Sequence, residues 1–441
     1  AFRYAAIGLG AGRDVTLTGY RATVLSAFTS PSAALIAHDR NSDNRVTGGE
    51  LIAYAAVLGV GRDNAEVILA DLCPSTTTDG RLLPRQFDIL SDQVGFAGYR
   101  AMFRSQFKAE PNLTAAVVGA LDPNRDGFFS AAEFLQESRR MVIEDENALR
   151  VFDYLDLDAR GFFEESQVAV LVDAVSFCDF RHLIEVEYGS MLDFLKQADL
   201  DTDGRVTPEE FSRYASSVCL STENVARLFD NLDVQQEGFV PVSRFEPDRL
   251  PFLLQPAGIP GVRLCLVTKY ANDSAAVLQQ AKLASTGLPV TLTGFSTLVK
   301  RAAWLTSTQA GAVFQQADIA GTRFVEADRF LGLFAGLATL AELRIMLHAV
   351  VDGGVGELLD RADENFDRAL SRIELTTLQQ LLLLPPQNQA LFDDLNYADT
   401  QFLAADQLGP VARVVATIFD LRMLTLSQWP VDGAAFQFAD V

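Results

Sequence analysis

The sequence predicts a mostly α-helical fold: five tandem pairs of helix–loop–helix units, with a short β-bridge between the two loops of each pair, in an extended or superhelical array. Three observations predict it. Twelve-residue acidic loops begin at residues 39, 122, 199 and 363, with a weaker relative at 283, so the step is about 80 residues throughout. A second loop-like stretch follows each one 33 to 36 residues later, at 75, 156, 233, 318 and 396. An independent marker, an arginine inside an apolar stretch, recurs at the same step as Arg21, Arg100, Arg181, Arg263, Arg344 and Arg422. Self-similarity at a fixed period is the signature of a repeat architecture. Two unrelated markers in one register make coincidence untenable.

In chain order, residues 1–19 read as a Gly-rich arm. Its G-L-G-A-G lacks the preceding strand and following acidic residue that a dinucleotide site requires. V-T-L-T-G-Y at 15–20 resembles V-T-L-T-G-F at 290–295, the back half of a loop in the fourth pair. The first pair spans 20–98, and its leading loop carries Asp39, Asn41, Asp43, Arg45, Thr47 and Glu50. Leu51, Tyr54 and Leu58 follow at helical spacing. The second pair, 99–179, carries Asp122, Asn124, Asp126, Phe128, Ser130 and Glu133. The third, 180–261, reads D-L-D-T-D-G-R-V-T-P-E-E and supplies Asp199, Asp201, Asp203, Arg205, Thr207 and Glu210, with Phe211, Tyr214 and Val218 helically spaced behind them. The fourth, 262–342, is degenerate: Leu283, Gly287 and Gly294 stand at acidic positions, and Asp318 is followed by Ala320, Thr322 and Arg329. The fifth, 343–420, carries Asp363, Asn365, Asp367, Ala369, Ser371 and Glu374, and 421–441 form a tail. The arginine segments read as the first helix of each pair, although R-H-L-I-E-V-E-Y and R-L-C-L-V-T-K-Y also alternate as strands do.

At these loops the chain resembles the EF-hand superfamily. The resemblance implies Ca²⁺, a hard cation that takes six to eight oxygens, supplied from loop positions 1, 3, 5, 7, 9 and 12. Aspartate or asparagine fills positions 1, 3 and 5, a backbone carbonyl (Arg45, Phe128, Arg205, Ala369) fills 7, a hydroxyl fills 9, and glutamate fills 12 in all four loops. Position 8 is apolar, as a bridge residue must be: Val46, Phe129, Val206 and Leu370. Position 6 favours glycine because the turn needs positive φ. Gly127 and Gly204 meet that need, whereas Asn44 and Arg368 replace it, the arginine at a strain of about 1 kcal/mol. About four Ca²⁺ sites are expected.

The second loops have the opposite pattern. Their position-12 residues are Gln86, Gln167, Arg244, Arg329 and Gln407, so no bidentate carboxylate remains, while Leu82, Phe163, Val240, Val325 and Leu403 keep position 8 apolar. Each binding loop is thus expected to sit beside an ion-free one, and the fourth pair is expected to bind nothing.

Composition bounds the function. The net charge is −22, and four divalent ions would bring it only to −14, so much of the acidity belongs to the surface. Such a chain is no nucleic-acid binder, since phosphates demand lysine and arginine. No apolar run is long enough to span a bilayer. Hydrophobic residues make up 49% of the chain, more than small helical pairs bury alone. The excess is expected to pack pair against pair or chain against chain, which implies protein partners or self-association. Four cysteines without a C-x-x-C spacing indicate no disulfide framework, and one bridge, such as Cys178 to Cys219, stays open. The three histidines, His38, His182 and His348, are scattered and read as packing or surface groups. Two sequons, Asn112-Leu113-Thr114 and Asn272-Asp273-Ser274, and a first residue other than methionine tilt the expected location slightly towards a secretory or extracellular one.

No nucleophile–base pair or phosphate loop is present, so no enzyme is expected. A calmodulin-like sensor needs two working loops per pair and a Met-rich groove, and this chain has five methionines. The reading that remains is a calcium-binding protein without catalysis, in which calcium rigidifies a structural scaffold or a component of a filament or other large assembly. The alternative is a soluble calcium buffer or calcium-responsive adaptor, although a buffer has little reason to keep six ion-free loops among ten.

Overall fold

The computed structural model describes residues 16–28, 31–42, 46–72, 81–82, 86, 89–90, 94–172, 175–233, 236–245, 258–271, 273–282, 289–336, 338–348, 354–363, 365–382, 384, 390–396 and 401–412. Readings that fall on residues 1–15, Asp43, Asn44, Arg45, Ser75, Asn272, Leu283, Gly287, Arg422 and the tail lie outside these. The described chain is mostly helical, with two-stranded antiparallel mini-sheets between paired helical units. It falls into two compact units: residues 1–175 with 179–230, and residues 176–178 with 231–441. That grouping is coarser than five domains.

Among the described residues, ten strands of two or three residues occur: β1 (Val46–Thr47), β2 (Arg81–Leu82), β3 (Phe128–Ser130), β4 (Phe162–Glu164), β5 (Arg205–Val206), β6 (Val240–Pro241), β7 (Val290–Thr291), β8 (Phe324–Val325), β9 (Leu370–Ser371) and β10 (Phe402–Leu403). The pairs β1–β2, β3–β4, β7–β8 and β9–β10 are antiparallel, and each centres on the two position-8 residues. Val46 faces Leu82, Phe129 faces Phe163, Val290 faces Val325 and Leu370 faces Leu403. All eight side chains are buried. The degenerate fourth pair therefore keeps its bridge although acidic residues are missing from its loops.

The helices behind the leading loops start on a capping box. Thr47, Ser130 and Thr207 accept from the N–H of Glu50, Glu133 and Glu210, whose carboxylates accept in return from the cap residue's N–H. This reciprocal pair satisfies two of the orphan donors at a helix start. Burial follows the helical period: in Asp145–Leu155, Ala148, Val151, Phe152 and Leu155 face the core. The turns between the two motifs of a pair pass through the left-handed region at Gly59 (φ 82°), Val142 (61°), Cys219 (57°) and Trp304 (56°). The residue after each, Val60, Ile143, Leu220 and Leu305, is buried and begins the next packing layer.

The five described arginine segments are helices, which settles the strand alternative for them. Arg21 lies in Leu17–Ala27, Arg100 in Phe96–Gln106, Arg181 in Phe177–Tyr188, Arg263 in Ile259–Lys269 and Arg344 in Leu340–His348. The first of these takes in Leu17, Thr18 and Gly19, which the sequence reading placed in the arm. Thr16 caps it by accepting from the Gly19 N–H, as Thr291 accepts from the Gly294 N–H, so the resemblance of the two V-T-L-T-G stretches has a shared local geometry.

The arginines have a role that the sequence marked but did not explain. Arg21, Arg100, Arg181 and Arg263 are among the largest fully buried side chains. Arg21 donates through Nη1 to the Ile89 carbonyl, and Arg100 through Nη1 to Val170 (3.0 Å) and Val172. Arg263 donates to Gly332 (2.8 Å) and Gly336 (2.7 Å), and Arg344 to Pro410 (2.8 Å). Each acceptor closes the pair that its arginine opens. The last carbonyls of a helix have no intrahelical partner and carry the negative end of its dipole, so a buried guanidinium fork suits them. Two arginines reach further: Arg21 Nε donates to the Val142 carbonyl at 3.3 Å and Arg100 Nη2 to the Cys219 carbonyl at 3.2 Å. Those carbonyls sit in the left-handed turn of the following pair, so in the first unit consecutive pairs are joined through arginine. Burial pushes the Arg263 guanidinium down to about 10, which leaves it charged at neutral pH.

The cysteine expectation needs correction. Cys178 bonds to Cys265, with Cα atoms 5.4 Å apart, and Cys219 is a buried free thiol. The Cys219 backbone is instead committed to the turn that receives Arg100 and Arg104. The bridge closes a loop of 87 residues in sequence, so Cys265→Ala is expected to lower the stability of the second unit by about 2–4 kcal/mol. Urea unfolding of the variant beside the reduced and oxidised parent measures this.

His38 and His182 are packing groups. The His38 ring lies between the Tyr20 hydroxyl (2.9 Å) and the Ala34 carbonyl (2.7 Å), and burial lowers its pKa. Burial likewise lowers His182 to about 4. A histidine held neutral in the fold and free to charge when unfolded, near 6.5, favours the fold above that pH. Its contribution is lost as pH falls from 6.5 towards 4. The urea midpoint is therefore expected to drop over that window, and to drop less in His182→Gln.

Candidate metal centres

Three of the four leading loops share one hydrogen-bond lattice over their first seven positions. In the loop at 199, the Asp203 N–H donates to Asp199 (3.1 Å) and Asp201 (3.2 Å), the Gly204 N–H to Asp199 (3.0 Å) and the Arg205 N–H to Asp203 (2.7 Å). In the loop at 122, Asp126 donates to Asp122 (3.1 Å) and Asn124 (2.9 Å), Gly127 to Asp122 (3.0 Å) and Phe128 to Asp126 (2.8 Å). The loop at 363 repeats this with Asp367 on Asp363 (3.3 Å) and Asn365 (2.9 Å), Arg368 on Asp363 (2.7 Å) and Ala369 on Asp367 (2.9 Å). The lattice turns the side chains of positions 1, 3 and 5 towards a common centre. In the loop at 199, one carboxylate oxygen from each of Asp199, Asp201 and Asp203 lies within 4.8 Å of the other two. Of the loop at 39, Asp39, Asn41, Thr47 and Glu50 are described; Asp39 is buried, and Glu50 Oε1 accepts from Arg40 (3.2 Å) and Asn41 (3.4 Å).

The backbone obeys the same pattern. Position 4 is left-handed at Ser42, Arg125, Thr202 and Phe366, and position 6 at Gly127, Gly204 and Arg368. Arg368 holds φ 67°, the strained geometry the sequence reading expected. Arg368→Gly is expected to stabilise this loop by up to about 1 kcal/mol, read as a rise in melting temperature in chelator.

Position 12 serves two ends. Glu133 Oε2 accepts from the Ser130 N–H (2.9 Å) and hydroxyl (2.6 Å), Glu210 Oε2 from Thr207 (2.9 and 2.8 Å), and Glu374 Oε2 from the Ser371 N–H (2.8 Å). One oxygen anchors the helix start, and Oε1 is on the loop side: in Glu210 it accepts from the Leu200 N–H at 2.9 Å. The Thr47 N–H lowers the Glu50 pKa in the same arrangement.

The second loops show why glutamine suits position 12. Gln167 Oε1 accepts from the Glu164 N–H (2.8 Å), preserving the cap, while its Nε2 donates across the loop to the Leu155 carbonyl. Gln407 does the same with the Ala404 N–H (3.0 Å) and Asn396 Oδ1 (3.2 Å). The amide NH₂ closes the loop by a hydrogen bond, and position 12 itself carries no charge to neutralise. In the fourth pair Gly294 occupies position 12, where an added Cβ would meet the Ala281 carbonyl at 2.2 Å. No glutamate fits there without moving the backbone.

The candidate donors are all oxygen, and three carboxylates gather in one exposed loop. That set fits a hard cation and offers no nitrogen or sulfur ligand to a softer one. The hydroxyl of position 9 is also the helix cap, a role the loop motif alone did not reveal. The chain matches no known family model and no curated protein.

Proposed function

We propose that this chain is a calcium-binding protein of EF-hand type, without catalysis, in which four ions fix a scaffold. The observation that carries this reading is the convergence of Asp199, Asp201 and Asp203 on one centre, in a loop whose lattice recurs at 122 and 363. Asp39, Asn41, Asp43, Arg45, Thr47 and Glu50 would hold the first ion. Asp122, Asn124, Asp126, Phe128, Ser130 and Glu133 would hold the second, Asp199 to Glu210 the third, and Asp363, Asn365, Asp367, Ala369, Ser371 and Glu374 the fourth, with arginine, phenylalanine and alanine contributing backbone carbonyls. A bound cation supplies the positive charge that lets these carboxylates sit together. The protein's own residues do the rest: the capping glutamate ties the loop to its helix, and the mini-sheet ties the loop to its partner.

The one-ion pair supports a structural role over a sensor. In the second loops at 156 and 396 a glutamine latch stands where an ion would, so half of each of those two pairs keeps its shape at any calcium level. The buried arginines then join pair to pair. The Cys178–Cys265 bridge favours an oxidising compartment, where calcium is abundant. Titration calorimetry of the full chain and of Glu50→Gln, Glu133→Gln, Glu210→Gln and Glu374→Gln tests the reading. Glutamine preserves each cap, so each variant is expected to fold and to lose one ion of four. Unchanged stoichiometry in all four variants would refute it.

A further inference from the structure

The turn that joins the first two helices of the second pair presents one side-chain amide to solvent. It follows the helix Phe96–Gln106, and its residues Ala109, Glu110, Pro111 and Asn112 are all exposed. Ser105 (2.7 Å) and Lys108 (3.1 Å) both donate to the Asp71 carboxylate, which holds the end of that helix and the start of the turn in place. Asn112 then caps the next helix, Leu113–Leu121, its Oδ1 accepting from the Ala115 N–H at 3.0 Å. That bond fixes which end of the amide faces the helix. Nδ2 is left on the other side, and among the described residues nothing accepts from it. Two residues on, Thr114 lies in the first turn of the same helix.

Asn112-Leu113-Thr114, without proline in the middle, is the acceptor tripeptide for N-linked sugar, a modification of surface turns in secreted chains. An independent observation agrees with it. The Cys178–Cys265 bridge belongs to an oxidising compartment, on the route where such sugars are attached. We propose that Asn112 carries an N-linked oligosaccharide. Nδ2 bonds to the anomeric carbon of an oligosaccharide delivered on a lipid pyrophosphate; the sugar–phosphate C–O bond breaks, the lipid pyrophosphate leaves, and Nδ2 gives up one proton. Oδ1 takes no part, so the cap on Ala115 and the sugar coexist. The nine residues of Leu113–Leu121 place the sugar about 13 Å from Asp122, at the other end of the helix from the acidic loop. A bulky, solubilising group here keeps this end of the second pair facing solvent in any assembly. The inference rests on the bridge and the tripeptide, not on calcium. The other tripeptide differs: Asn272 lies outside the described residues, and its Ser274 hydroxyl donates to the Ala335 carbonyl at 2.8 Å.

The test takes the full chain from the cells that naturally make it, treats it with peptide-N-glycosidase in heavy-oxygen water, and reads the peptides by mass spectrometry. The glycosidase cleaves the bond between Cγ and Nδ2, so a labelled aspartate is expected in place of Asn112 in most copies. Recovery of the peptide with an unlabelled asparagine would overturn the proposal. Two variants made along a eukaryotic secretory route separate the sugar from folding. Asn112→Asp keeps the cap oxygen and removes the nitrogen, and Thr114→Ala keeps Asn112 and removes the hydroxyl that the transferase recognises. Each is expected to lose one sugar chain from the intact mass of wild type. An intact mass that keeps every sugar chain in both variants, and loses one only in Asn272→Gln, would also overturn it. Unmodified Asn112 in a chain that takes up calcium in full refutes the sugar and leaves the calcium reading intact; a glycosylated chain that binds no calcium does the reverse.

Discussion

Arg100→Ala is expected to lower the stability of the first unit by about 3–5 kcal/mol. The guanidinium donates to the carbonyls of Val170, Val172 and Cys219, all on buried residues. Leaving the buried Val170 and Val172 acceptors unsatisfied costs about 1–3 kcal/mol each, and the vacated volume adds to this. Arg100→Lys keeps the charge but cannot span three acceptors from one fork, so it is expected to recover only part of the loss. Arg104 is the internal control. It donates to the same Cys219 carbonyl at 2.8 Å from a less buried position, and Arg100 still serves that carbonyl in Arg104→Ala, whose expected loss is under about 1 kcal/mol. Urea unfolding of the three variants measures the series. An Arg100→Ala chain within 1 kcal/mol of wild type would mean that the arginine marks the repeat without holding it.

Removal of calcium is expected to have an effect of similar size. A ligand that binds only the folded state stabilises it by about 4 kcal/mol per site when present at a thousand times its Kd. Excess chelator is therefore expected to lower the melting temperature of both units, since leading loops lie in each. Glu210→Gln should reproduce the part of the loss that belongs to the loop at 199, because glutamine keeps the cap on Thr207 and removes only the charged ligand. Differential scanning calorimetry in calcium and in chelator reads both. A melting temperature indifferent to chelator would place the acidic loops on the surface as solvated turns.

Most of the fold was legible in the sequence because its two periodic signals are local. Loop ligands fall at alternate positions, the apolar bridge residue follows at position 8, and the helical spacing resumes at position 13; no tertiary knowledge is needed to register them. The β-bridges formed between the residues the pattern named, down to Val290 and Val325 in a pair without ligands. The arginines were visible as a marker but not as a clamp, because their acceptors are main-chain carbonyls 66 to 73 residues away. A carbonyl has no letter in the sequence. The disulfide was missed for a related reason: spacing cannot choose among four cysteines, and Cys219, the nearer partner in sequence, was held by its backbone in a turn. The double role of Thr47, Ser130 and Thr207, as position 9 and as helix cap, was also hidden, although the S/T-x-x-E spacing carries it. Gln167 and Gln407 were read as losses, and their geometry makes them replacements.

The central claim is that each working pair combines one loop that an ion closes with one that its own side chains close. Amide hydrogen exchange by mass spectrometry, in calcium and in chelator, addresses it loop by loop. Protection is expected to rise with calcium in 39–50, 122–133, 199–210 and 363–374, while 156–167 and 318–329 stay protected alike in both conditions. Equal gains in the glutamine-latched loop at 156–167, or no gain in the four acidic loops, would contradict it.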